Sequence, residues 1–342
     1  MTAARWEDLA TRARGLATHL LDARTIAALP ATAAEEGLRP LAAALRGHGY
    51  PLPDGEVTPD DLELAVRRQA GARLAVLARW AGARNDLLAV IFEDEDRRSI
   101  RALVRGAVQS TAAELRVAGL VPTPELPERA LRELAEQPSP GTIAVLLTAW
   151  GNPYGPALLR EAKATQPNLL AIESALNVTF AERALRGGRA TGNRVVMDHV
   201  RETIDLENAL AALVLAGTET GAPRGAGAKQ SFVTGGRRLS LPAFLETIAA
   251  GDPALARRVL ARAFRDALPL ARVFEHTADP SSIEEQLLRA RIALLQQAEL
   301  RDPAGVAAVL RFALRVRAEV IAVRRVIWGV VLGAPQDSLV AS

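Results

Sequence analysis

Three times in this chain an acidic residue opens a short apolar segment of one layout: Asp96-Arg97-Arg98-Ser99-Ile100-Arg101, Asp205-Leu206-Glu207-Asn208-Ala209-Leu210 and Glu319-Val320-Ile321-Ala322-Val323-Arg324. The first two acids are 109 residues apart and the last two 114. A unit of about a third of the protein therefore recurs, and such self-similarity constrains a fold more than any local propensity does. The spacing predicts a pseudo-threefold body. Taken singly, each acid reads as a residue near a helix start, where the positive end of the macrodipole stabilises it. Only the recurrence lifts the motif above that reading.

The chain has 342 residues, of which 49% are hydrophobic and 24% charged, enough to bury a large core. Alanine, leucine and arginine dominate while aromatics make up 4%, a composition that favours helices over sheets. An all-α protein is expected. The pI of 9.9 suggests a nucleic-acid partner, yet the net charge is only +3, because arginines that never lose their protons supply nearly all the cations. Basic runs with interleaved aromatics are missing, so no nucleic-acid binding is expected. With no cysteine, disulfides, thiolate metal sites and thiol nucleophiles are excluded, and a reducing cytoplasm is the simplest setting. Residues 1–8 lack a charged segment leading into an apolar stretch, and no window approaches the ~20 apolar residues of a spanning helix. At a membrane, such a chain works from outside the bilayer.

Thr58-Pro59-Asp60-Asp61 predicts a helix start, with a capping hydroxyl, proline in the first turn and acids behind it; Val66, Ala70, Leu74 and Leu77 then form one apolar stripe. The apolar residues 87–92 lead into the first motif. Five prolines between residues 119 and 140 mark a first boundary. Helical patterns follow at 141–147, 157–164 and 169–185, the last ending at Gly187-Gly188, and a helix bearing Val195, Val196 and Val200 reaches the second motif. Six glycines within residues 217–236 mark a second boundary or an exposed loop. Later, Ser281 with Glu284 reads as a capping box, and another helix is expected to start near Asp302-Pro303. These boundaries give units of 1–120, 121–222 and 223–342.

Residues 223–231 invite a phosphate-loop reading around Lys229. Pro223 and Ala228 stand where that motif needs glycines, and Gln230 separates the lysine from the hydroxyl, so a flexible loop is expected. His19, His48, His199 and His276 are scattered and no second histidine lies near any of them to build a metal site. Asp198-His199 and Glu275-His276 are sequence neighbours that do not face each other on a helix, and are read as surface residues. No G-x-S-x-G elbow occurs. The four acids at 93–96 suggest a cation site or an acid-based active site, against a solvated helix N-terminus neutralised by Arg97, Arg98 and Arg101. No catalytic, cofactor or metal site emerges.

The motifs are similar to those of the central-stalk socket subunit of V/A-type rotary ATPases, named C in bacterial and archaeal complexes and d in eukaryotic ones. In that family each of three related domains carries an acid, two variable residues, often Asn, then an apolar residue and often Arg. Here Asp96 with Arg101, Asp205 with Asn208, and Glu319 with Arg324 fit, while Ser99, Ala322 and Leu210 depart. Arg12-Ala13-Arg14, Phe232-Val233-Thr234-Gly235-Gly236, residues 302–306 and Gly333-Ala334-Pro335 look like the family too.

The resemblance implies an all-helical funnel of three similar domains. It would sit peripherally on the cytoplasmic face of the proteolipid ring, receive the central shaft and pass torque, binding no nucleotide or cofactor and performing no bond chemistry. Asp96, Arg101, Asp205, Asn208, Glu319 and Arg324 are then expected to be structural ties inside each domain. The rival readings are a helical scaffold or adaptor unrelated to rotary ATPases, and an enzyme with an acid site near residues 93–96, for which a deep pocket at those acids is the discriminating observation.

Overall fold

The computed structural model describes residues 6–33, 38–162, 168–217, 226–277 and 280–335, and among them every regular element is helical. Six helices of 22 to 25 residues form the frame. They come in consecutive pairs, separated by runs of short helices. Short α1 (Glu7–Ala17), α2 (Ala23–Ala33) and α3 (Leu38–Gly47) precede long α4 (Pro59–Ala81) and α5 (Asn85–Val108). Short α6 (Ala113–Val117), α7 (Glu128–Ala135), α8 (Pro140–Ala149) and α9 (Gly155–Ala162) precede long α10 (Leu169–Thr191) and α11 (Arg194–Ala216). Short α12 (Ala226–Gln230), α13 (Leu241–Ala249), α14 (Pro253–Ala263) and α15 (Leu268–His276) precede long α16 (Pro280–Arg301) and α17 (Ala307–Val331).

Local chemistry sets the starts. Thr58 accepts from the Asp61 amide while the Asp61 carboxylate takes the Thr58 amide, closing a capping box ahead of Pro59. Ser139 and Thr142 do the same for α8, and Asn168 and Asn193 cap α10 and α11. Three expectations shift. The helix expected to stop at Gly187-Gly188 runs on to Thr191 and ends at Gly192, whose φ of 62° is left-handed. Gly188 instead permits close approach, since a Cβ there would lie 2.7 Å from the Met197 sulfur on α11. Residues 302–305 form a turn, with the Gly305 amide donating to the Asp302 carbonyl, and the helix begins at Ala307. Finally, α16 already runs from Pro280, ahead of Ser281, whose own side chain lies outside the described residues.

Packing joins α5 to α10, and α17 to α16, α4 and α1, which brings the first helix against the last. Most buried apolar side chains form one core. A second core, between Leu206 and Ala290, lies under α11 and α13–α16, with Phe244, Phe264 and Phe274 at its centre.

Candidate functional site

All three motif acids lie in the middle of long helices and not at helix starts. Asp96 follows the first residue of α5 by 11 positions, Asp205 that of α11 by 11, and Glu319 that of α17 by 12. They are 4%, 0% and 4% exposed. The macrodipole reading is therefore replaced: a carboxyl held mid-helix in the interior must be neutralised or hydrogen-bonded, because desolvation there is costly.

Each acid has such partners. Asp205 accepts from the backbone amides of Arg237 (2.9 and 3.0 Å), Arg238 (2.9 Å) and Leu239 (3.1 Å). One turn on, Asn208 makes a pair of hydrogen bonds with Val233, donating to its carbonyl at 2.8 Å and accepting from its amide at 2.9 Å. The glycine-rich stretch read as a boundary thus folds back, over residues 232–239, onto the second motif; Lys229 sits exposed in α12, and residues 218–225 of that stretch lie outside the described ones. Gly236 is required by this approach, since a Cβ on it would come within 2.0 Å of Asp205 Oδ1.

At the first motif, Asp96 accepts from the Thr123 hydroxyl at 2.5 Å, and Thr123 in turn accepts from the Leu126 amide at 2.9 Å. At the third, Glu319 takes a hydrogen bond from the Tyr50 hydroxyl and one at 2.7 Å from Arg73, whose other nitrogen donates to the His19 carbonyl. Arg324 donates to Glu63 at 2.6 Å, and Glu63 also accepts from the Gly119 amide and the Trp328 indole. Gly119, at φ 75°, lets Arg324 pass, because a Cβ would stand 2.2 Å from its Nη1.

Arg101 leads to a different feature, a charged junction between the motif helices. It donates to Glu207 at 2.6 Å and to Asn177 at 2.5 Å. Arg97, 0% exposed, donates to Glu207 at 2.7 Å and Asp94 at 2.5 Å and lies over the Phe180 ring at 4.7 Å. Arg98 pairs with Asp94, and Arg317 of α17 with Glu95 at 3.1 Å. Burial opposes charge throughout, yet Arg101, Arg97 and Arg98 together hold the Glu207 carboxyl well below the usual range. The acids of residues 93–96 are therefore not a solvated helix N-terminus: they are mid-helix, and Asp94 and Asp96 are buried.

His199 also departs from its surface reading. It is buried beside Arg291, which donates to Thr203 at 2.6 Å and Glu202 at 3.3 Å; burial, then the Arg291 charge, lowers the imidazole to about 3. His276 is exposed, as expected of a surface residue.

A hollow of about 620 Å³ does open beside Glu93 and Asp96. Two of its three acids already have partners: Glu93 takes the Tyr154 hydroxyl at 2.7 Å and Arg183 at 2.6 Å, and Asp96 takes Thr123, while Glu125 is exposed at its edge. Among the described residues no group of three His, Cys, Asp or Glu is placed to hold a metal.

Burial, opposed by the Thr123 bond and assisted by Glu93, Glu125 and Glu95, pushes Asp96 up to about 8. A carboxyl whose folded value exceeds its unfolded value near 3.8 contributes stability that is complete below pH 3.8 and lost as pH rises through about 8. Asp96→Asn keeps the acceptor for Thr123 and abolishes the titration. Urea unfolding at pH 5 and pH 9 should show the wild type losing at least ~1 kcal/mol relative to this variant over that interval. Parallel losses would contradict the protonated assignment.

Sequence reasoning missed Tyr50, Glu63, Arg73, Arg291 and Arg317. A signal exists for Arg291, which interrupts the apolar stripe of Leu287, Ala290 and Leu294; the others are set by contacts far along the chain. A family model described as ATP synthase (C/AC39) subunit matches residues 9–340. No curated protein sequence matches the chain.

Proposed function

The chain belongs to the ATP synthase (C/AC39) subunit family, the C/d component of V/A-type ATPases, and on that premise we propose that it is a non-catalytic rotor piece joining the central shaft to the membrane proteolipid ring. The family match over nearly the whole length carries this reading. The cross-linked frame supports it, because a part that transmits torque must resist shear between its helices. Arg97 and Arg101 tie α5 to α11, Arg317 ties α17 to α5, and Arg324 ties α17 to α4, all with partners that are mostly buried. Among the described residues no helix is long and apolar enough to cross a membrane, so attachment would run through the ring, on its cytoplasmic face.

The threefold organisation belongs to the same proposal. Asp96 and Asp205 bind the segment downstream of their own helices, reaching residue 123 and residues 237–239, whereas Glu319 binds Tyr50 and Arg73 from the start of the chain, where α17 packs against the first helices. A unit would then be a motif helix, a run of short helices and a second long helix, the third unit closing through α1–α4. These units straddle the divisions near residues 120 and 222, and the motif residues would be their ties.

Affinity capture of the tagged protein from its native membranes, extracted in mild detergent, tests the role. Mass spectrometry should find shaft, proteolipid and nucleotide-binding subunits. Recovery with unrelated proteins alone would overturn the rotor reading in favour of a helical adaptor.

A further inference from the structure

A hollow rich in arginine lies where the first and last helices meet. It measures about 270 Å³ and is bordered by Arg14 of α1 and Thr18 just after it, Glu299 of α16, and Arg311, Phe312 and Arg315 of α17. Three guanidinium groups face one carboxylate. Glu299 spends an oxygen on each of two of them, taking Arg14 Nε at 2.8 Å and Arg311 Nη1 at 2.5 Å. Arg14 Nη2 and Arg311 Nε are buried and, among the described residues, have no hydrogen-bond partner. Arg315 is half-buried and, among the described residues, makes no hydrogen bond or ion pair; its nearest acids are Glu299 and Glu319, and Glu319 is already engaged by Arg73 and Tyr50. Burial and then the Arg311 charge make Arg315 release its proton more readily than a free guanidinium. The hollow therefore holds two positive charges in excess.

Charge and shape select the ligand class. A carboxylate brings one negative charge, whereas a phosphate group brings ~1.5 to 2 at neutral pH and several acceptor oxygens, suited to the fork of an arginine. The volume exceeds what one such group needs. We propose that this hollow is a binding site for a phosphate dianion, held chiefly by Arg315 with Arg14 and Arg311, whether it arrives as free phosphate or as a phosphomonoester. The site adjoins the third motif acid, although Arg14, Arg311 and Arg315 bond none of the motif residues in the described structure, and it does not depend on the rotor role.

Calorimetric titration of the full-length protein with inorganic phosphate at low ionic strength tests it, with acetate as the monoanion control. One saturable site is expected, weakened at least ~tenfold by Arg315→Gln and also by Arg14→Gln, with acetate binding more weakly than phosphate. Arg315 has no ion pair to lose, so its variant should keep the wild-type melting temperature. Glycerol 3-phosphate separates the two sources: tighter binding than phosphate at the same site assigns a phosphomonoester, and weaker binding assigns the free ion. Absence of saturable phosphate binding, or binding that both folded variants leave unchanged, overturns the proposal.

Discussion

Replacing Glu207 by Ala should destabilise the protein by about 3–5 kcal/mol, the largest effect expected of any single substitution here. Glu207 is the shared acceptor of the junction, bonded to Arg97 at 2.7 Å and Arg101 at 2.6 Å with Arg98 at 4.0 Å. Its loss leaves Arg97, fully enclosed, with Asp94 as its one carboxylate among the described residues and Asn177 as a neutral partner, and takes from Arg101 the carboxylate it pairs with. Glu207→Gln retains the shape and isolates the charge, so it should recover only part of the loss. A compensating pair, Glu207→Leu with Arg97→Met, should fare better than Glu207→Ala, because a buried ion pair can be exchanged for apolar packing whereas half of one cannot be left behind. The pH dependence has a definite sign. Because the carboxyl is held below its usual value, the stability that it contributes is present above about pH 4.5 and lost as pH falls. Urea unfolding of the three variants at pH 7 and pH 4 decides the matter. Equal stability of wild type and Glu207→Ala would show that the junction does not bind the motif helices together.

Asp205→Ala should cost nearly as much, about 3 kcal/mol, and lower the melting temperature by roughly 5 °C. The carboxylate is the acceptor for three successive backbone amides, none of which gains another partner if it goes. Buried unpaired donors carry their full desolvation cost, which is why the effect exceeds that of one hydrogen bond. The segment 232–239 should loosen first, held then by Asn208 at Val233 and by the side-chain pairs of Arg237 and Arg238 with Asp198 and Asp266. Hydrogen exchange at Arg237, Arg238 and Leu239 reads this directly. An unchanged melt with failed assembly would show instead that Asp205 serves a contact with another subunit.

The two effects show what was legible in the residues. Helical class followed from composition and the start of α4 from its capping pattern, because these depend on neighbours in sequence. The mid-helix position of Asp96, Asp205 and Glu319 did not, since an acid followed by apolar residues looks the same at a helix start as in a buried helix interior. What separates the cases is the partner, and those partners lie 27 residues away for Asp96, 32 to 34 for Asp205, and 246 and 269 for Glu319. Gly187-Gly188 misled for a related reason: glycine marks a helix end when φ is positive, and here it marks the close approach of Met197. The hollow of Arg14, Arg311 and Arg315 was equally hidden, because it is assembled from both ends of the chain.

Electron cryomicroscopy of the intact complex bound through this protein tests the central claim most directly. The account predicts the chain on the rotation axis, between the proteolipid ring and the foot of the shaft, keeping those contacts in every rotational state. Density on a peripheral stalk, or contacts that stay with the stator while the ring turns, would contradict it.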